Sequence, residues 1–136
     1  MPSPAPTLVE LVWNGHLEFA AALSKHSVVL DGSGAAGPSP VEMLGASLAG
    51  CMAMDLVHML KRGRHDLRSL RATLLAERAP EDPKRFTAVT LHCAIEGSVP
   101  HDAVARAVEL SRTKYCSVWQ SMRQDIDLQV TFDLAP

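Results

Sequence analysis

The chain has no surplus of positive charge. Thirteen Lys and Arg stand against fifteen Asp and Glu, for a formal charge of −2. Binding a run of phosphates needs the opposite balance, so nucleic acid is not expected as a partner. The one basic run, "KRGRH" at 61–65, reads as a solvated helix end, where cations are favoured. The start, "MPSPAPTLVE", lacks the charged and apolar regions of a secretory signal. No run of about 18 apolar residues is free of charge, because Glu42, Asp55 and His58 interrupt the most apolar segment. No membrane span is expected. CxxC is absent, and the three cysteines, Cys51, Cys93 and Cys116, are an odd count. That argues against a disulfide framework and a zinc site alike. The six histidines form neither HxxxH nor HExxH, so no metal site is expected. These absences describe a cytoplasmic protein with reduced thiols and no metal or bound organic cofactor.

What is present suits a single domain, 1–136, of ordinary globular composition: 47% hydrophobic and 21% charged. Repeats, low-complexity tracts and linkers are missing. "TLVELVW" (7–13) reads as a strand, "NG" (14–15) as a hairpin turn, "HLEFAAAL" (16–23) as the return strand and "HSVVLDG" (26–32) as a third strand. "GSGAAGPSP" is a loop ending in a helix start. Ser39 is the N-cap, Pro40 the first helical residue, and Glu42, three residues after Ser39, completes a capping box. This helix runs to Lys61 or Arg62, where Gly63 can end it. It is apolar nearly all round, with twelve uncharged residues from Met43 to Met54. Such a helix must be enclosed, here by a second sheet or a second subunit.

Residues 67–79 and 85–97 read as strands joined by the loop "PEDPK". In the second, Val89, Leu91, Cys93 and Ile95 share one face at period two. Residues 101–115 form an amphipathic helix with Val104, Ala107, Val108 and Ser111 on one side. Residues 116–124 are ambiguous and allow a short helix, and 126–135 alternates as a last strand. The order βββ-α-ββ-α-(α)-β indicates an α+β fold with mostly antiparallel sheet.

Free cysteine is usually a small buried hydrophobe, and Cys93 on its apolar strand face fits that use. Cys51 in its apolar helix admits both that reading and a chemical one. Cys116, in "TKYCSVW" at the end of an amphipathic helix, also stays open. A thiolate that attacks a peroxide O–O bond becomes a sulfenic acid, and a second thiol then closes a disulfide on it. Cys51 and Cys116 can do this if the fold brings them together.

"GPSPVEMLGASLAGCMAMDLVHMLKRGRHDL", followed by "KYCSVW" and "IDLQVTFDL", resembles the OsmC/Ohr family of osmotically inducible and organic-hydroperoxide-resistance proteins. The resemblance covers nearly the whole chain. It implies an OsmC-like fold in an intertwined homodimer, with long apolar central helices enclosed by two sheets. It also implies a thiol peroxidase for small apolar hydroperoxides in oxidative-stress defence. Cys51 would be peroxidatic and Cys116 resolving, with a dithiol reductant of lipoyl type. Two features depart from the family's peroxidases. No arginine precedes Arg62, and Val41, not glutamate, follows Pro40. Glu42 lies nine residues from Cys51, about 900° around a helix, and so on the opposite face.

Asp55, at i+4 from Cys51, would oppose ionisation of that thiol, and Lys114 is the candidate compensating cation. Two other readings remain. One is a non-catalytic redox-sensing or apolar-ligand module, and the other a thiol enzyme acting on a different electrophile.

Overall fold

The structure is a computed structural model and describes residues 2–136. Its elements fall into two compact units, 2–44 and 45–136. The first holds an antiparallel meander of β1 (Val9–Gly15), β2 (Glu18–Leu23) and β3 (His26–Asp31). The hairpin falls two residues later than the sequence suggests. Gly15 pairs with Glu18, so His16 and Leu17 make the turn, and the register slips between Trp13 and Gly15. Gly15 (φ 105) and His16 (φ 49) take the left-handed backbone this requires, and Trp13 Nε1 donates to the His16 carbonyl at 2.9 Å.

After β3, Asp31 organises the loop towards the long helix. Its carboxylate accepts from Ser33 N (2.9 Å), Ser33 Oγ (2.7 Å) and Ala36 N (2.9 Å). These bonds hold its pKa below the ordinary carboxylate value, the Ala36 amide contributing most. The loop delivers the expected capping box. Glu42 N donates to Ser39 Oγ at 3.2 Å, and Ser39 N donates to Glu42 Oε1 at 3.1 Å.

Helix α1 spans Pro40–Arg62. Its buried residues from Gly45 onward, Gly45, Leu48, Met52, Leu56 and Leu60, recur at steps of three and four and form one stripe. The rest of the helix is not enclosed within the chain: Met54 is 72% exposed and Val57 37%. By length and a mean hydropathy of 1.5, α1 is apolar enough to cross a bilayer. Its buried stripe packs into the chain's own core, and Asp55 and His58 stand on the same helix. The chain turns left-handed at Arg64 (φ 62), one residue after Gly63, and His65 N caps the Leu60 carbonyl at 3.1 Å.

The second unit contains a sheet in the order β4-β5-β6: β4 (Asp66–Arg78), β5 (Phe86–Ser98) and β6 (Asp127–Ala135). β4 and β5 are antiparallel, and β6 joins β5 in parallel. The register places Leu74, Leu91 and Val130 in one row and Ala72, Cys93 and Phe132 in the next. Val89, Leu91, Cys93 and Ile95 are buried together, as their alternation foretold. α1 reaches this face at Gly45, where an added Cβ would touch Leu74 Cδ2 at 3.4 Å. Gly97 (φ 136) sits at the β4–β5 bulge, and any side chain there would strike the Asp66 carbonyl. Helix α2 (His101–Leu110) buries Val104 and Ala107. The fold is α+β, as expected.

Candidate functional site

The site begins with the spacing of two residues on α1. Four residues advance a helix by about 400°, so Cys51 and Asp55 lie one turn apart on nearly the same side. Both are half-buried, flanked by the fully buried Met52 and Leu56.

The third member comes from a different part of the chain. The helix expected over 101–115 is regular only to Leu110. Ser111–Tyr115 winds wider, and Cys116 N donates to the Ser111 carbonyl five residues back at 2.8 Å. The backbone then becomes extended at Cys116 (ψ 100), which caps a short helix α3, Ser117–Gln120. Trp119 N donates to Cys116 Sγ at 3.3 Å. The wide turn and the cap together fix where this sulfur points. Cys116 and Trp119 are buried, at 0% and 3% exposure.

The sulfurs of Cys51 and Cys116 and a carboxylate oxygen of Asp55 all lie within 4.8 Å of one another. The two cysteines singled out in the sequence therefore meet, 65 positions apart, whereas Cys93 stays in the sheet core. Burial raises the Cys93 pKa. Burial also pushes Cys116 up to about 11, reinforced by the neighbouring Cys51 and opposed by the Trp119 amide. Cys116 is thus a protonated thiol at neutral pH, and of the pair Cys51 is the more open to solvent. Asp55 is held by Ser111, whose Oγ donates to Oδ2 at 2.8 Å.

Ser111 was visible in the sequence only as a polar member of an amphipathic face. The structure buries it fully, which requires a hydrogen-bond partner. Lys114, the candidate cation, holds Nζ 5.2 Å from the centroid of the exposed Tyr115 ring. On α1, Gly50, Ala53, Met54, Val57, His58, Lys61 and Arg62, with Leu70 of β4, line an open groove of about 770 Å³.

Two sulfurs within 4.8 Å are placed to form a disulfide once their side chains rotate together, the bond itself being about 2.05 Å. The carboxylate beside them can accept a proton or ligate a cation.

The chain and its fold have known relatives. The chain is 39% identical over 125 residues to Protein YhfA of Escherichia coli strain K12, covering 90% of this chain and 93% of that one. A hypothetical protein from Aquifex aeolicus VF5 superposes with a TM-score of 0.90 at 25% identity, over 97% of this chain and 98% of the other. The organic hydroperoxide resistance protein OsmC from Legionella pneumophila shares the fold, with a TM-score of 0.70 at 18% identity over 97% and 99%. A family model described as OsmC-like protein matches residues 31–131, which hold both cysteines of the site. With that match spanning most of its length, the chain belongs to the OsmC-like family.

Proposed function

We propose that the protein is a dithiol peroxidase that reduces organic hydroperoxides in oxidative-stress defence. The observation that carries this reading is the approach of the half-buried Cys51 sulfur to the buried Cys116 sulfur. The Cys51 thiolate attacks the distal peroxide oxygen and the O–O bond breaks. The alkoxide takes a proton and leaves as an alcohol, and Cys51 becomes a sulfenic acid. The Cys116 sulfur then attacks Cys51 Sγ, a disulfide forms, and the sulfenic oxygen leaves as water. A dithiol reductant, of lipoyl type in this reading, exchanges with the disulfide and restores both thiols. Burial of Cys116 fits a resolving role, because it reacts only with a partner already beside it.

The working state is a homodimer in the cytoplasm. Leu11, Val12 and Trp13 of the meander are each more than half exposed, and so is Met54 of α1. Apolar exposure on that scale marks a surface that another chain covers. Gly50, where an added Cβ would meet nothing within 4 Å, leaves room for a second helix to approach. The groove beside Gly50 also favours a second reading, a module that binds a small apolar ligand without turnover.

Consumption of cumene hydroperoxide with a dithiol separates the readings. Wild type should turn over, and Cys51→Ser should lose essentially all turnover while still folding. Equal rates in the two would leave the ligand-binding reading standing.

A further inference from the structure

We propose that Cys51, Asp55 and Cys116 bind one thiophilic divalent cation of the Zn²⁺ class, a role separate from peroxide reduction. Two sulfurs and one carboxylate oxygen already converge within 4.8 Å. Zn–S bonds of about 2.3 Å and Zn–O bonds of about 2.0–2.2 Å put neighbouring donors of a tetrahedral site roughly 3.5–3.8 Å apart. Rotations of three side chains, each moving its donor by less than about 1 Å, would close that gap. No backbone rearrangement is needed.

The framework is that of a ligand set. Cys51 and Asp55 come from adjacent turns of one helix, and Cys116 comes from a separate segment whose direction is set by the wide turn and the α3 cap. Each of the latter two donors has an outer hydrogen bond. Ser111 Oγ donates to Asp55 Oδ2 at 2.8 Å and orients the carboxylate, and Trp119 N supports the Cys116 sulfur at 3.3 Å. The half-buried Cys51 side leaves a fourth position for water.

Charge argues the same way. Three groups that carry negative charge when ionised are clustered, and among the described residues Asp55 makes no ion pair. A divalent cation displaces the thiol protons and balances the negative charge that their loss leaves on the sulfurs. Two sulfurs with one carboxylate suit Zn²⁺ better than Mg²⁺ or Ca²⁺, which want oxygen alone. Metal and disulfide would exclude each other, because the disulfide sulfurs are no longer thiolate ligands.

The test is an anaerobic titration of the reduced full chain with Co²⁺, followed by Zn²⁺. Near-ultraviolet thiolate-to-cobalt charge-transfer absorption should saturate at one equivalent per chain and vanish as Zn²⁺ displaces Co²⁺. Cys51→Ser and Cys116→Ser should each remove about half of that intensity, and the double variant all of it, with Cys93→Ala unchanged. Asp55→Asn should weaken Co²⁺ at least about tenfold. Absence of the band in wild type, or its survival in the double variant, would overturn the site. Unchanged affinity in Asp55→Asn would overturn the carboxylate ligand. Should a variant fail to fold, wild type alone decides. Zn²⁺ should protect the half-buried Cys51 from N-ethylmaleimide under conditions where chelator restores labelling, and undiminished labelling with Zn²⁺ contradicts the proposal. None of these readouts depends on peroxidase turnover.

Discussion

Raising the pH should accelerate disulfide closure steeply. Cys116 has a pKa of about 11, chiefly because burial disfavours its thiolate. At pH 7 that is four units below the pKa, so about one Cys116 in ten thousand is ionised. At pH 9 the fraction is about one in a hundred. Closure requires this thiolate, or a proton transfer that generates it, so its rate should rise roughly tenfold per pH unit between 7 and 9. Part of the upward shift comes from Cys51 itself and disappears once Cys51 is a sulfenic acid. The burial contribution remains, so the slope persists and only its plateau moves to lower pH. With a chelator present, reduced protein is mixed with one equivalent of cumene hydroperoxide, quenched with N-ethylmaleimide, and the disulfide quantified by non-reducing mass spectrometry. Excess peroxide at pH 6.5 should trap more sulfinic acid on Cys51 than at pH 9, because closure is then the slow step. A closure rate that stays flat from pH 6.5 to 9.5 would rule out closure limited by the Cys116 thiolate. It would mean that Asp55 or another base removes the Cys116 proton without help from bulk hydroxide.

Further outcomes follow from named contacts. Ser39→Ala removes the acceptor for Glu42 N and should cost about 1 kcal/mol in denaturant melts, with turnover per folded molecule unchanged. Asp31→Ala should lower the melting temperature at pH 7 by stripping the loop of three hydrogen bonds. Because folding depresses the Asp31 pKa, its stabilisation is complete above the ordinary value of 3.8 and fades as pH falls through the folded value. The gap between wild type and variant should therefore narrow in acid melts. Light scattering at low micromolar concentration should give twice the chain mass, and Met54→Lys, on the exposed side of α1, should shift the population towards monomer. A wild-type monomer that melts cooperatively would contradict the dimer.

Much of the fold was legible because local signals agreed. The capping box placed the start of α1, and the alternation of Val89 to Ile95 assigned their common buried face. What escaped depends on contacts distant in sequence or on subtle backbone choices. Asn14–Gly15 is a strong turn signal, yet a bulge moves the turn to His16–Leu17. Gly63 was the natural helix end, yet Arg64 takes the left-handed residue. α1 looked apolar on every side, but its own chain buries a single stripe, and composition cannot say which side a partner covers. For the site, the sequence offered Cys51, Cys116 and the i+4 position of Asp55. It did not show that the helix at 101–115 widens after Leu110, and that change in winding turns Cys116 towards Cys51. Ser111 acquires its meaning only from the distance to Asp55, 56 positions away.

The pairing of Cys51 with Cys116 as a working dithiol is tested most directly by mapping the disulfide formed from fully reduced protein and one equivalent of organic hydroperoxide. Alkylation of the remaining thiols, digestion without reductant and mass spectrometry should give one linked peptide pair joining Cys51 to Cys116, with Cys93 still a free thiol. A Cys51–Cys93 bond, or Cys51 overoxidised while Cys116 remains free, would contradict the account.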